Sequence, residues 1–340
     1  MKVAARRVVQ LIPILFGLSV LVFAWARSLP GDPAEAVLAS GKPASQLTVS
    51  REAVAEVRHL YGLDRPLYAQ YGSWLTHVAR LDLGQSITTR QSVSGEFRRR
   101  FPATVELALA GLAVAVAVGV PVGYIAARRA HTWVDHLSLG GTLLGVSIPV
   151  FVLAFALKYI FSVKLGWLPS IGRLDVTRDL SHPTGLYVLD AIVALDGAAL
   201  VDTLRHLVLP GLALGLPPAA FIARITRASV LDVADEPYVH TAEAKGLSHS
   251  AVGRRHVLRN ALLPVTTVVG LAAGFLLEGV TLVEVVFASG GMGSFLFQAI
   301  IERDYPVLQA GILYLAVVFV VINLIVDILY ARLDPRAQIT

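Results

Sequence analysis

Apolar residues in this chain gather into six runs, at 8–25, 105–127, 137–161, 207–225, 265–287 and 310–330, separated by stretches rich in charge. A helix needs about 20 residues to cross a hydrocarbon core of roughly 30 Å, and these runs approach or exceed that length. The pattern predicts an all-α integral membrane protein with about six transmembrane helices. Lys2, Arg6 and Arg7 precede the first run, and Ala24-Trp25-Ala26 has the small-residue form of a signal-peptidase site. The run is nevertheless longer than the ~7–15 residues of a signal-peptide core. Residues 1–26 are therefore expected to stay as the first transmembrane helix.

Residues 27–101 form a long polar segment in which two short amphipathic helices are predicted. Ser50 is placed to cap the first, which carries Val54, Val57, Leu60 and Tyr61 on one face and ends at Gly62. Asp64 and Pro66 open the second, where Leu67, Tyr71, Trp74 and Leu75 recur at helical spacing and suit a membrane interface. Residues 102–340 then read as a core of five transmembrane helices that includes a long loop at 226–262. No repeat, low-complexity stretch or flexible linker divides the chain.

Composition agrees with the pattern. Of 340 residues 55% are hydrophobic and 16% charged, and the mean hydropathy is +0.67, more apolar surface than a soluble domain can hide. The net charge of +5 is spread beside the apolar runs rather than along one stripe, so no nucleic-acid partner is expected. Arg128 and Arg129 follow the second run, Arg227, Lys245, Arg254, Arg255 and Arg259 the fourth, and Arg332 and Arg336 the sixth. If the spans alternate, these fall on one side with Lys2, Arg6 and Arg7. The positive-inside rule then puts both termini and the 226–262 loop in the cytoplasm and residues 27–101 outside.

That loop contains Asp235-Glu236-Pro237-Tyr238-Val239-His240-Thr241-Ala242-Glu243-Ala244-Lys245-Gly246-Leu247-Ser248. Asp235 suits an N-cap, Pro237 the first turn, and Gly246 the left-handed residue that ends a helix. Ser248 can cap a second helix running through Val252, His256 and Val257 toward Asn260. Ala242 and Ala244 are small enough to admit another protein's surface. The residues alone fit equally well an ordinary solvated loop with a charged face.

The segment resembles the cytoplasmic EAA loop of ABC-importer permease subunits, in the form found in dipeptide and oligopeptide importers. Thr241-Ala242-Glu243-Ala244-Lys245-Gly246-Leu247 is similar to its first half and Leu258-Arg259-Asn260-Ala261-Leu262-Leu263-Pro264 to its second. The gap between Gly246 and Pro264 is longer than in importers generally, as in the peptide group. Further fragments resemble the family in the same order: Leu29-Pro30-Gly31-Asp32-Pro33, Gly62-Leu63-Asp64-Arg65-Pro66, Asp82-Leu83-Gly84-Gln85-Ser86, Phe101-Pro102-Ala103-Thr104-Val105-Glu106-Leu107, Gly145-Val146-Ser147-Ile148-Pro149, Leu165-Gly166-Trp167-Leu168-Pro169 and Leu209-Pro210-Gly211-Leu212. The resemblance implies the ABC-importer permease fold in a bacterial inner membrane. It also implies a second homologous permease subunit, two ATPase subunits or domains, and an extracytoplasmic substrate-binding protein. Ala242, Glu243, Ala244, Lys245 and Gly246 would then couple the chain to the ATPase.

No G-x-x-x-x-G-K-[ST] stretch is present, so ATP and Mg are expected on the partner ATPase and no cofactor on this chain. The scattered histidines have no metal-ligand spacing, no G-x-S-x-G elbow occurs, and there is no cysteine, so no enzyme activity is expected. Two acids interrupt the fifth run. Glu284 is expected to be structural. Glu278, deeper, is a candidate for the translocation path, favouring a cationic group such as a peptide amino terminus. Pro149 is expected to kink its span, Pro217 and Pro218 to break the fourth near a pore hinge, and Gly270, Gly274 and Gly279 to let helices pack closely. Competing readings are the same machine with nickel, glutathione or a sugar-like solute as cargo, an ion-coupled secondary transporter using Glu278, and a membrane scaffold.

Overall fold

A computed structural model describes the backbone of residues 2–28, 34, 38, 50–60 and 63–333. Side chains at 2–12, 60, 139, 143, 144, 146, 249, 250, 277, 278 and 325–333 lie outside the description. The motif at 29–33 and the helix stop expected at Gly62 fall outside the described residues. The described chain is helical, with one isolated bridge between Gln85 and Ser92. Contacts divide it into two compact units: Met1–Phe101 with Met292–Val321, and Pro102–Gly291 with Ile322–Thr340.

The first unit starts with α1 (Lys2–Ser28), α2 (Arg51–Leu60) and α3 (Leu67–Ala79). Ser50 caps α2 as expected, its Oγ accepting from Ala53 N at 3.2 Å. Helix α3 has Pro66 at its N-cap and no side-chain cap, because Asp64 turns instead to His59 Nδ1 at 2.8 Å. Its aromatic face packs on α1: Tyr71 and Trp74 lie against Phe23, and the Tyr71 hydroxyl meets Ser19 Oγ at 2.8 Å. Elsewhere in the unit, Val93 and Phe97 at the start of α4 (Val93–Arg128) pack with α12 (Met292–Glu302) and the first turns of α13 (Tyr305–Leu333). Asp304, buried between those helices, accepts from Ser86 Oγ at 2.5 Å and Thr88 N at 3.1 Å. This gives the Asp82–Ser86 motif a structural role as a pinned turn.

The second unit is organised around α8 (Gly197–Ala234), whose Asp196 N-cap accepts from Ala199 N. Its most apolar window is 61% buried, against 28% in α4, which makes α8 the central helix. Leu209, Ala213 and Leu214 pack with Leu276, Val280 and Val283 of α11 (Arg259–Phe287), Leu107 of α4 and Ala154 of α6 (Val150–Leu157). Small residues spaced four apart let α4 and α8 touch along their backbones. An added Cβ on Gly215 would overlap the Gly111 carbonyl, and one on Gly119 would lie 2.7 Å from the Ala219 carbonyl. Gly123 meets the Ala223 carbonyl in the same way. Small-residue seams of this kind hold helices together where lipid removes the hydrophobic drive. Of the glycines expected to do this in the fifth run, Gly279 has Leu214 3.2 Å from its Cβ position.

Four helices among the described residues are long and apolar enough to cross a membrane, within Val93–Arg128, Gly197–Ala234, Gly253–Leu276 and Tyr305–Leu324. A further apolar stretch is interrupted between Phe287 and Met292. The expected third span is not one helix. It is α5 (Trp133–Ser147), a break at Pro149, α6, and a π-helical stretch, Lys158–Lys164. Pro149 has no N–H to continue the ladder and drives Ile148 out of helical geometry. Pro217 and Pro218, by contrast, do not break α8, which runs unbroken through both. Neighbouring helices that bury their surroundings hold such a segment helical despite the missing donors.

Candidate functional site

Helix α8 continues nine residues past its apolar run and ends at Ala234 with Asp235 as its C-cap. Asp235 therefore closes one helix rather than opening the next, a correction to the expected N-cap. Helix α9 (Pro237–Ala244) has Glu236 at its N-cap position, no side-chain cap, and Pro237 at its first residue. Gly246 follows with φ +80°, the left-handed geometry that glycine adopts at no steric cost. Ser248 then starts α10 (His249–Val252), Ala251 N reaching its Oγ at 3.4 Å. A π-helical stretch, Gly253–Leu258, leads directly into α11. The second helix of the loop is thus continuous with a membrane span.

One face of this element is core. Val239 and Ala242, three apart on α9, are buried with Val252, Val257 and Ala261 against Ala127 and Val230. Ala242 was expected to admit a partner; it packs against its own chain, because it shares the Val239 stripe. Glu243, Ala244, Lys245 and Gly246 are exposed, together with His240, Thr241 and Leu247. The two halves of the loop motif are tied by Asn260 Nδ2, which donates to the Tyr238 hydroxyl at 2.8 Å and the His256 carbonyl at 2.9 Å. Beside them Tyr124 presents a buried hydroxyl with no hydrogen-bond partner among the described residues, 2.9 Å from where a Cβ on Gly253 would stand. Helix α9 is thus packed, through this knuckle, against residues of α11, α4 and α8.

A charged brace lies near the same end of α8. Arg227 donates to Asp135 through Nε at 2.5 Å and through a second guanidinium nitrogen at 2.7 Å. His131 N donates to the same carboxylate at 3.0 Å. The Arg227 hydrogen bonds outweigh burial and hold the Asp135 carboxyl down at about 2. At the other end of the unit, buried Glu106 accepts from Arg173 at 2.5 Å and, at 2.7 Å, from Val188 N in the short helix α7 (Tyr187–Val193). The Arg173 guanidinium also lies 3.8 Å from the centre of the Tyr187 ring. Neither pair was visible in the sequence, where the partners stand 92 and 67 residues apart.

Glu284 is fully buried and accepts from Thr104 Oγ1 at 2.5 Å, within the stretch Phe101–Leu107 singled out above. Gly291 leaves room for its carboxylate. Glu278 lies on α11, with its side chain outside the described residues. Pro217 and Pro218 are half-buried on α8. Among the described residues no three acidic or histidine side chains gather into a group that could hold a metal ion.

The description "Binding-protein-dependent transport system inner membrane component" fits residues 119–339, and that of its N-terminal region fits residues 1–108. The chain is 42% identical to the dipeptide transport system permease protein DppB of Alkalihalophilus pseudofirmus, over 98% of both chains. It is 44% identical to the di/tripeptide transport system permease protein DppB of Pseudomonas aeruginosa, again over 98% of both. The glutathione transport system permease protein GsiC of Escherichia coli is 40% identical, over 98% of this chain and 97% of its own.

Proposed function

The chain belongs to the family of binding-protein-dependent transport system inner membrane components, and on that premise we propose that it forms half of the path of an ATP-driven importer for di- and oligopeptides. It is a multi-pass inner-membrane permease rather than an enzyme. In the proposed assembly it pairs with a second homologous permease, rests on two ATPase subunits that hold ATP and Mg, and receives cargo from an extracytoplasmic binding protein. Both termini and the 226–262 loop face the cytoplasm; residues 27–101 face outside, and 102–340 form the core. The peptide permeases among the relatives support peptide as cargo. The glutathione relative supports a second reading, in which the same architecture carries that modified tripeptide.

The observation that carries the reading is the exposed strip Glu243–Gly246 on an element whose other face is locked into the span α11. Closure of the ATPase pair on ATP would push α9, and the packed knuckle would move the spans together, exposing the path alternately to either side. Glu278, Pro217 and Pro218 are the proposed path residues. The test is Gly246→Asp in the assembled importer. It puts a charge on the strip and a side chain where φ is +80°, so ATP hydrolysis should continue while peptide uptake falls and the subunit stays inserted. Normal coupled uptake by that variant would overturn the placement.

A further inference from the structure

Lys158 lies inside the third apolar run, at the first residue of a π-helical stretch. Such irregular turns recur at functional sites, and a cation within a span faces a bundle interior or an aqueous path rather than lipid. The apolar side chains around it divide in two. Phe151, Phe155, Tyr159 and Ile160 are exposed, whereas Ala154, Leu157 and Phe161 pack toward α8 and α11. Half-buried Lys158 sits on the α11 side, where Nζ donates to the Val286 carbonyl at 2.6 Å and lies 5.8 Å from the centre of the Phe287 ring. Among the described residues no carboxylate pairs with it, so the ammonium has one neutral acceptor and two further donors.

We propose that Lys158 is an anion-recognising group of the translocation path, taking the carboxylate of a passing peptide, its C-terminus above all. The inference rests on the peptide reading and adds to it a residue that selects for negative charge. A half-buried cation with no carboxylate partner among the described residues is maintained at a free-energy cost, which the arriving carboxylate offsets. The competing role is that of a side-chain cap on the last carbonyls of α11, and the two roles separate on charge. Lys158→Gln keeps a donor for Val286 and loses the cation; Lys158→Arg keeps both.

The complete importer, with its binding protein saturated, is reconstituted in vesicles and offered one dipeptide as the free acid or as the C-terminal amide. Wild type and Lys158→Arg should take up the acid about tenfold faster, as expected for one charge-assisted hydrogen bond. In Lys158→Gln the ratio should fall to near one, with uptake of the acid falling toward that of the amide. Equal loss of both peptides, an unchanged ratio, or no preference in the wild type would overturn the proposal and leave the peptide reading standing. Absence of any peptide uptake by the wild type would instead overturn that reading. If Lys158→Gln fails to insert, a carbodiimide-activated dipeptide supplies the answer on the native chain: acylation of Lys158 supports the assignment, and a peptide map without that adduct overturns it.

Discussion

The seam between α4 and α8 makes a prediction whose sign runs against helix propensity. Glycine inside a helix is worse than alanine by about 0.5–1 kcal/mol, so a Gly→Ala change with room for the methyl should stabilise. Gly197 at the start of α8 has nothing within 4 Å of its Cβ position. Gly215 on the same helix has the Gly111 carbonyl inside van der Waals distance, and Val114 Cβ at 2.8 Å. A backbone carbonyl cannot rotate away, so Gly215→Ala must push α4 and α8 apart by about 1 Å along the most buried part of α8, with ordinary contact near 3.5–4.0 Å as the target. Overpacking of this kind costs about 1–3 kcal/mol, enough to exceed the propensity gain. Unfolding of the two variants in detergent micelles, by heat or denaturant, should move the midpoints in opposite directions: Gly197→Ala unchanged or up, Gly215→Ala down. Equal shifts would refute the close approach, and a stabilised Gly215→Ala would refute the seam outright.

Three further outcomes follow from particular contacts. Gly253→Ala should destabilise by crowding the Tyr124 hydroxyl, and adding Tyr124→Phe should restore much of the loss; thermal midpoints of the single and double variants check this. The Asp135 carboxyl, depressed to about 2 by Arg227, contributes stability that is fully present above the ordinary carboxylate pKa near 4 and disappears as pH falls toward 2. Asp135→Asn should therefore flatten the acid limb of a stability–pH curve between about pH 4 and 2; an unchanged limb would remove the brace. Thr104→Val should remove one hydrogen-bond donor from the buried Glu284 carboxylate and destabilise by about 1–3 kcal/mol, read as a lower denaturation midpoint.

Much of the architecture was legible because membrane helices announce themselves by length, and because glycine at Gly246 has one dominant use after a short helix. What hydropathy could not show was where helices stop. Helix α8 runs to Ala234 although its apolar run ends at Ile225, since a helix leaving the bilayer needs only internal hydrogen bonds. Prolines misled in both directions: Pro149 ends a helix while Pro217 and Pro218 sit inside one, and the difference lies in the packing around them. Ala242 was read as partner-facing from its size, though its three-residue spacing from Val239 already marked it as core. The spacing of Gly111, Ala115, Gly119 and Gly123 against Gly211, Gly215, Ala219 and Ala223 was a readable signal for the helix seam that went unused. The pairs Asp135–Arg227 and Glu106–Arg173 needed the fold, because nothing local joins residues so far apart.

The proposed function requires the Glu243–Gly246 strip to touch an ATPase on the cytoplasmic side. The chain contains no cysteine, so Lys245→Cys gives a unique thiol on that strip. In intact membranes holding the whole importer, a short bifunctional reagent should link Cys at that position to the ATPase chain, more readily in one nucleotide state than in the other. Labelling by a membrane-impermeant thiol reagent added from outside, with no ATPase adduct in any nucleotide state, would rule that contact out.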